Sequence, residues 1–284
     1  MQLSTALVRY MDANSPLWRP ATIDNLIEAA KRWTQALGAE ARLRDLSAGR
    51  LRQYLIGRLK TCAATTVTLD LHLLRAFFSW CVREGLLESS PAGSLRGPRL
   101  PQRPIRVMDH HEQSRILHVA SGIGGAALEV LIVLAIETGL RQRTLLSLQW
   151  SHVDLEQGWL NIPGQYLKSG RQLRIPLSES ALAILREWGG KQLREGHLFP
   201  WERKRCGEKW LQACRRAGVK GLRFHDLRKT FLTRCRERGV QMEVAMALSD
   251  HQDLRTVLRC YRAVSDDDLL RGVGRLKALA QDGL

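Results

Sequence analysis

Gly158-Trp-Leu-Asn-Ile-Pro-Gly-Gln-Tyr-Leu-Lys-Ser-Gly-Arg-Gln-Leu-Arg-Ile-Pro-Leu177 is where an otherwise helical chain turns to extended structure. Leu173, Ile175 and Leu177 recur at every second residue, the period of a strand with one buried face. Gly158–Ile162 reads as the partner strand, and Lys168-Ser-Gly170 falls in the turn between them. A single short β region near residues 153–177, set among helices, predicts a mainly α fold carrying a small antiparallel sheet.

Helical signals surround that region. Asp109-His-His-Glu112 has the capping-box pattern that opens a helix. Ala126–Ile136 is an apolar run broken by Glu129, too short for the roughly 20 residues a bilayer span needs, so it reads as a buried core helix. Further helices start at Ser178 and near His225. On the other side, residues 1–90 read as all-helical. Ile23, Leu26, Ile27, Ala30, Trp33 and Leu37 recur at three-to-four spacing, and Gly38 stops that helix. Ser47 caps a second helix with Leu51, Tyr54, Leu55 and Leu59 on its apolar side. A third, from about Thr65 to Glu84, is expected to bury Leu69, Leu73, Leu74, Phe77 and Phe78. Between the halves, Ser89–Arg106 holds four prolines, two glycines and four arginines and reads as an extended basic linker. The division is therefore 1–90, a linker 91–107, and 108–284.

The 284 residues suit two domains, and 44 Lys+Arg against 28 Asp+Glu give a net charge of +16. Such an excess favours a polyanionic partner. It concentrates between Trp201 and Arg238, where 13 Lys/Arg face 4 Asp/Glu. No apolar anchor adjoins it, which argues against a membrane surface, and the N-terminus lacks the regions of a secretory signal, leaving the cytoplasm as the expected compartment. Six cysteines form no CxxC pair, and Cys206, Cys214 and His225 match no zinc-finger spacing, so no metal site is assigned.

A dispersed polar set carries the chemistry: Arg141, Lys168, His225, Arg228, His251 and Tyr261. Arginine forks match the non-bridging oxygens of a phosphodiester and would neutralise charge growing at phosphorus. His225 and Arg228, three apart, share a helix face. A phenol is a nucleophile able to form a covalent phosphoester. Singly, each residue has an ordinary structural role open to it: a helix-end arginine, a turn lysine, an N-cap histidine, a loop histidine, a half-buried tyrosine.

In combination the chain resembles the tyrosine recombinase (phage integrase) family over nearly its whole length. Thr138-Gly-Leu-Arg141 looks like the first arginine box and Lys168 like the hairpin lysine. His225-Asp-Leu-Arg228-Lys-Thr230 looks like the second box, Leu248-Ser-Asp-His251 the next, and Tyr261 the nucleophile. The resemblance implies a helical, SAM-like core-binding domain, a basic linker, and a mostly α catalytic domain. It implies a site-specific recombinase or integrase acting on double-stranded DNA through a 3′-phosphotyrosyl link. Lys168 would protonate the 5′-hydroxyl leaving group, His225 would assist proton removal or hold the phosphate, and His251 would bond a phosphate oxygen. No metal, nucleotide cofactor or small-molecule substrate is implied. The tail Ser265–Ala280 would pack on a neighbouring subunit of a tetramer on DNA, or on its own domain.

The chain departs from the family pattern at three points. Thr144 stands where an acidic residue often supports the first arginine, and Asp250 stands where glycine often precedes the box histidine. Tyr261 lies ten positions after His251 where nine is common, the ninth being Cys260. One extra helical residue turns a side chain by about 100°, so either a loop absorbs it or Tyr261 misses the phosphate. Two other functions share these features: a type IB topoisomerase-like relaxer, and a DNA-binding regulator that has lost its chemistry. A metal-dependent nuclease built on Asp266, Asp267 and Asp268 is disfavoured, because three adjacent acids suit a helix start.

Overall fold

Leu3, Ala6, Leu7 and Tyr10 repeat at helical spacing and form the buried face of α1, Leu3–Asn14. The computed structural model describes residues 1–100, 105–190 and 195–261, with Leu270 and Val273. It divides into two units, Met1–Arg103 and Pro104–Leu284.

In the first unit α1 is followed by α2 (Pro20–Leu37), α3 (Ala48–Thr61) and α4 (Ala64–Arg83). Gly38 ends α2 at φ 90°, and Ser47 caps α3 by accepting from the Arg50 amide. Tyr10, Phe77 and Trp80 form an aromatic centre, with Tyr10–Phe77 centroids 5.5 Å apart in edge-on geometry. Ala92 and Leu95 are also buried in this core.

Two expectations fail here. Leu69 and Leu59 are exposed at 48% and 42%. On α4 the buried row is Val67, Leu71, Leu74 and Phe78, and Leu69 sits two residues off it, on the opposite side of the helix. The buried face of α4 also carries Asp70, which accepts from Arg32 (2.8 Å), Arg58 (3.0 Å) and Tyr54 (3.2 Å). Arg58 is thus committed to a buried carboxylate.

The second unit is built around α6, Ala126–Thr138, which is apolar almost all round and so needs cover on every side. It is covered by α5 (His110–Gly124), α8 (Glu179–Gly189) and α10 (Asp226–Glu237). The short α7, Gln142–Leu146, follows α6, and α9 (Arg203–Arg216) packs on α5. Asp109 and Glu112 close the capping box of α5 reciprocally, and the Glu112 carboxylate also pairs with Arg106.

Strands β1 (Val153–Asp154), β2 (Trp159–Ile162) and β3 (Leu173–Pro176) form an antiparallel sheet in the order β1-β2-β3. The pairing sets Leu160 opposite Ile175 and Ile162 opposite Leu173, so one face is apolar. Arg174 lies over the Trp159 ring, 4.1 Å from its centre. A smaller core joins α10 to α11 (Met242–Ser249) and α12 (Leu254–Tyr261) through Phe231, Leu232, Ala245 and Val257. The expected class, mainly α with a small antiparallel sheet, is the one observed. The Asp266–Asp268 cluster and the tail to Ala280 lie outside the described residues, apart from Leu270 and Val273, which are helical and exposed.

Candidate functional site

Gly139 ends α6 in the left-handed region at φ 62°, and a side chain there would overlap the Phe231 ring of α10. This close approach brings the α6–α7 corner against α10. Arg141 therefore emerges at the start of α7 beside Arg228, which projects from the first turn of α10.

Arg228 is 3% exposed, and each of its three guanidinium nitrogens reaches a protein acceptor. Nη1 donates to the Gly139 carbonyl at 2.7 Å and to the Ser249 carbonyl, Nη2 reaches the Asp250 carbonyl at 3.4 Å, and Nε donates to Nε2 of His251 at 3.0 Å. Burial, then the charge of Arg141, lower its pKa to about 9, with Asp250 opposing. The group stays cationic at neutral pH.

The hydrogen bonds define the protonation of His251. Nε2 accepts from Arg228, so Nδ1 carries the proton and donates to Ser249 Oγ at 2.7 Å, whose hydroxyl donates to the Ala245 carbonyl at 2.6 Å. Burial, followed by Arg228, Arg141 and His225, pushes its pKa down to about 3. His251 is a neutral acceptor that orients Arg228. Both its ring nitrogens are engaged.

Asp250 has φ 52° and ψ 47°, alone among the described non-glycine residues in having positive φ. Its carboxylate meets Arg141 Nη1 at 2.5 Å, and its carbonyl accepts from the same nitrogen at 2.8 Å. The other oxygen, Oδ1, accepts from Gln252 at 3.3 Å. The carboxylate beside the histidine is thus turned onto the first arginine.

His225 is the N-cap residue of α10 and stands exposed at the edge of this cluster. Its pKa is lowered by the protein packed around it and by Arg228, Lys229 and Arg141, with Asp226 opposing. Lys168 is exposed on the β2–β3 connection, two residues beyond Tyr166, whose carbonyl accepts from Thr144 at 3.2 Å. Thr144 therefore ties the hairpin connection to α7.

Tyr261 is set apart from the cluster. Its hydroxyl donates to the Val240 carbonyl at 3.2 Å, in the connection between α10 and α11. Burial, then Cys235, Cys260 and Glu243, raise its pKa to about 12 against the pull of Arg236. Helix α12 is continuous from Leu254 to Tyr261, leaving Gln252 and Asp253 as the non-helical residues after His251. Cys260 turns into the core at 3% exposure, while Tyr261 is half-buried.

The structure thus gathers Arg141, Arg228, His225 and His251, with Lys168 on the tethered hairpin connection. Ser249 and the Gly139 carbonyl are members that sequence reasoning missed. The one available signal for Gly139 was its place just after the apolar run of α6.

Residues 106–268 match the model of the phage integrase family. Tyrosine recombinase XerC of Xanthomonas campestris pv. campestris (strain B100) is 27% identical over 240 residues, covering 79% of this chain and 72% of that protein. A shufflon-specific DNA recombinase of Escherichia coli is 30% identical over 220 residues, covering 75% of this chain and 56% of that one. The Tn1549 transposon integrase, solved in complex with a circular intermediate DNA, superposes with a TM-score of 0.82 at 13% identity, covering 97% of this chain and 99% of the other.

Proposed function

This chain belongs to the phage integrase family, and from that premise we propose that it is a site-specific DNA recombinase that cleaves and rejoins strands through a 3′-phosphotyrosyl link. The observation that carries the reading is the convergence of Arg141, Arg228, His225 and His251. Arg228 bonds His251 directly, the Asp250 carbonyl accepts from both Arg141 and Arg228, and His225 stands at the N-cap of α10, three residues before Arg228.

In this reading Arg141 and the Nη2 edge of Arg228, whose bond to protein is its longest, hold the non-bridging oxygens of the scissile phosphate. The Tyr261 oxygen attacks phosphorus as its proton passes to neutral His225. The bond to the 5′-oxygen breaks, and that oxygen takes a proton from Lys168. The new phosphotyrosine conserves the bond energy, so the 5′-hydroxyl of a second strand reverses the step. Attack requires the Tyr261 hydroxyl to leave the Val240 carbonyl. Residues 1–90 would act as the core-binding domain, 91–107 as a basic linker along the backbone, and 108–284 as the catalytic domain. Double-stranded DNA is the partner, with four chains assembled on it. No described helix is long and apolar enough to cross a membrane.

A second reading takes its support from the same Tyr261–Val240 bond: a regulator that binds the site and does not cut. Incubating two duplexes that carry the attachment site separates the alternatives. Recombinant products support the recombinase; relaxation of supercoils without exchange supports a type IB-like relaxer; site binding with neither supports the regulator.

A further inference from the structure

The first arginine of the site has a counter-ion of its own. The Asp250 carboxylate is 5% exposed and meets Arg141 at 2.5 Å, whereas the Arg141 side chain is 28% exposed. Carboxylate and main-chain oxygen of Asp250 both take the same nitrogen, Nη1. One nitrogen of the guanidinium is therefore clamped on the buried side, and the clamp does not use the Nη2 edge. We infer that Asp250 is a positioning residue for strand cleavage: its carboxylate holds Arg141 by one nitrogen so that the opposite edge of the fork is presented to the scissile phosphate. The inference rests on the recombinase reading above.

Three observations converge on it. Thr144, three residues after Arg141, donates to the Tyr166 carbonyl and so does not hold the arginine. Asp250 keeps a left-handed backbone that glycine would adopt at less cost, and such strain persists where the side chain has a task. The charges also bear on it. Arg141 disfavours the charge on Arg228, and the Asp250 carbonyl accepts from both while its carboxylate offsets one charge. Of the two guanidinium charges, the carboxylate leaves one without a counter-ion, beside neutral His251. A carboxylate competing for the phosphate seat would lie on the open side of the fork; this one lies on the buried side.

The test is single-turnover cleavage of a nicked duplex carrying the attachment site, with full-length wild type, Asp250→Asn and Asp250→Gly. Duplex affinity and thermal unfolding are measured on the same preparations. Asn removes the charge at constant shape. Gly removes the carboxylate while suiting the left-handed backbone, so it guards against loss of fold. For both variants the expected result is duplex affinity within about threefold of wild type and covalent adduct forming about 100-fold more slowly, the scale of a misplaced catalytic group. A merely structural role would move affinity and rate together. Adduct formation by both variants at or above the wild-type rate would overturn the inference while leaving the recombinase reading intact. A wild type that binds the duplex and forms no adduct would overturn the reading itself, and the positioning role with it.

Discussion

Arg228 donates through Nε to Nε2 of His251 at 3.0 Å, and this bond fixes the histidine as a neutral ring with its proton on the Ser249 side. His251→Ala leaves a buried guanidinium donor without its acceptor, a loss of about 1–3 kcal/mol. A correspondingly lower urea midpoint and slower strand cleavage are expected. A variant as stable as wild type would show that His251 does not support Arg228.

Burial of His251 beside Arg228 makes stability depend on pH in a defined direction. The folded pKa of His251, about 3, lies below the ordinary histidine value, so the unfolded chain binds the extra proton between them. Stability from this group is complete above about pH 6.5 and declines as pH falls, by up to about 1.4 kcal/mol per unit. His225, also lowered, adds in the same direction. Denaturant titrations between pH 5 and 7 should show a slope in wild type that is shallower in His251→Ala.

Gly139→Ala attacks the corner that brings Arg141 to Arg228. It strains the left-handed backbone and drives a methyl group into Phe231. A loss of about 1–3 kcal/mol is expected from overpacking alone, read in the urea midpoint, with a fall in cleavage that exceeds the fall in duplex affinity.

Thr144→Val removes the hydroxyl that holds the Tyr166 carbonyl. About 1 kcal/mol of stability should be lost. Cleavage should slow through a looser Lys168 connection while site affinity is retained. Equal loss of affinity and rate would argue against that route.

In the first unit, Asp70→Ala strands Arg32 and Arg58 without their shared carboxylate. Breaking a fully buried pair costs about 3–5 kcal/mol. Both arginines keep some contact with water, so about 2–3 kcal/mol is expected in thermal or urea unfolding.

The features legible in the sequence are those set by local chemistry. The period of Leu26, Trp33 and Leu37, the caps at Ser47 and Asp109, and the alternation of Leu173, Ile175 and Leu177 each act within a few residues, and each element is present. Leu3, Ala6, Leu7 and Tyr10 carry the same period, and α1 was open to the same reading. Leu69 misleads because hydrophobicity alone does not say which of two helix faces meets the core. The order of the site residues is visible, but their partners are not: Arg141 and Asp250 are 109 positions apart, and only the fold shows that the carboxylate turns onto the arginine. His251 is likewise legible as a site residue and not as an acceptor, since its protonation depends on Arg228, Ser249 and burial together.

The most direct test of covalent chemistry at Tyr261 is a suicide-substrate trap. A nicked duplex with the attachment site is incubated in EDTA with wild type or Tyr261→Phe, denatured and resolved on a gel, and the adduct is mapped by peptide mass. Wild type is expected to form a DNA adduct on the peptide containing Tyr261, and Tyr261→Phe none. An adduct of equal yield from Tyr261→Phe, or no adduct from a wild type that binds the site, would contradict the assignment.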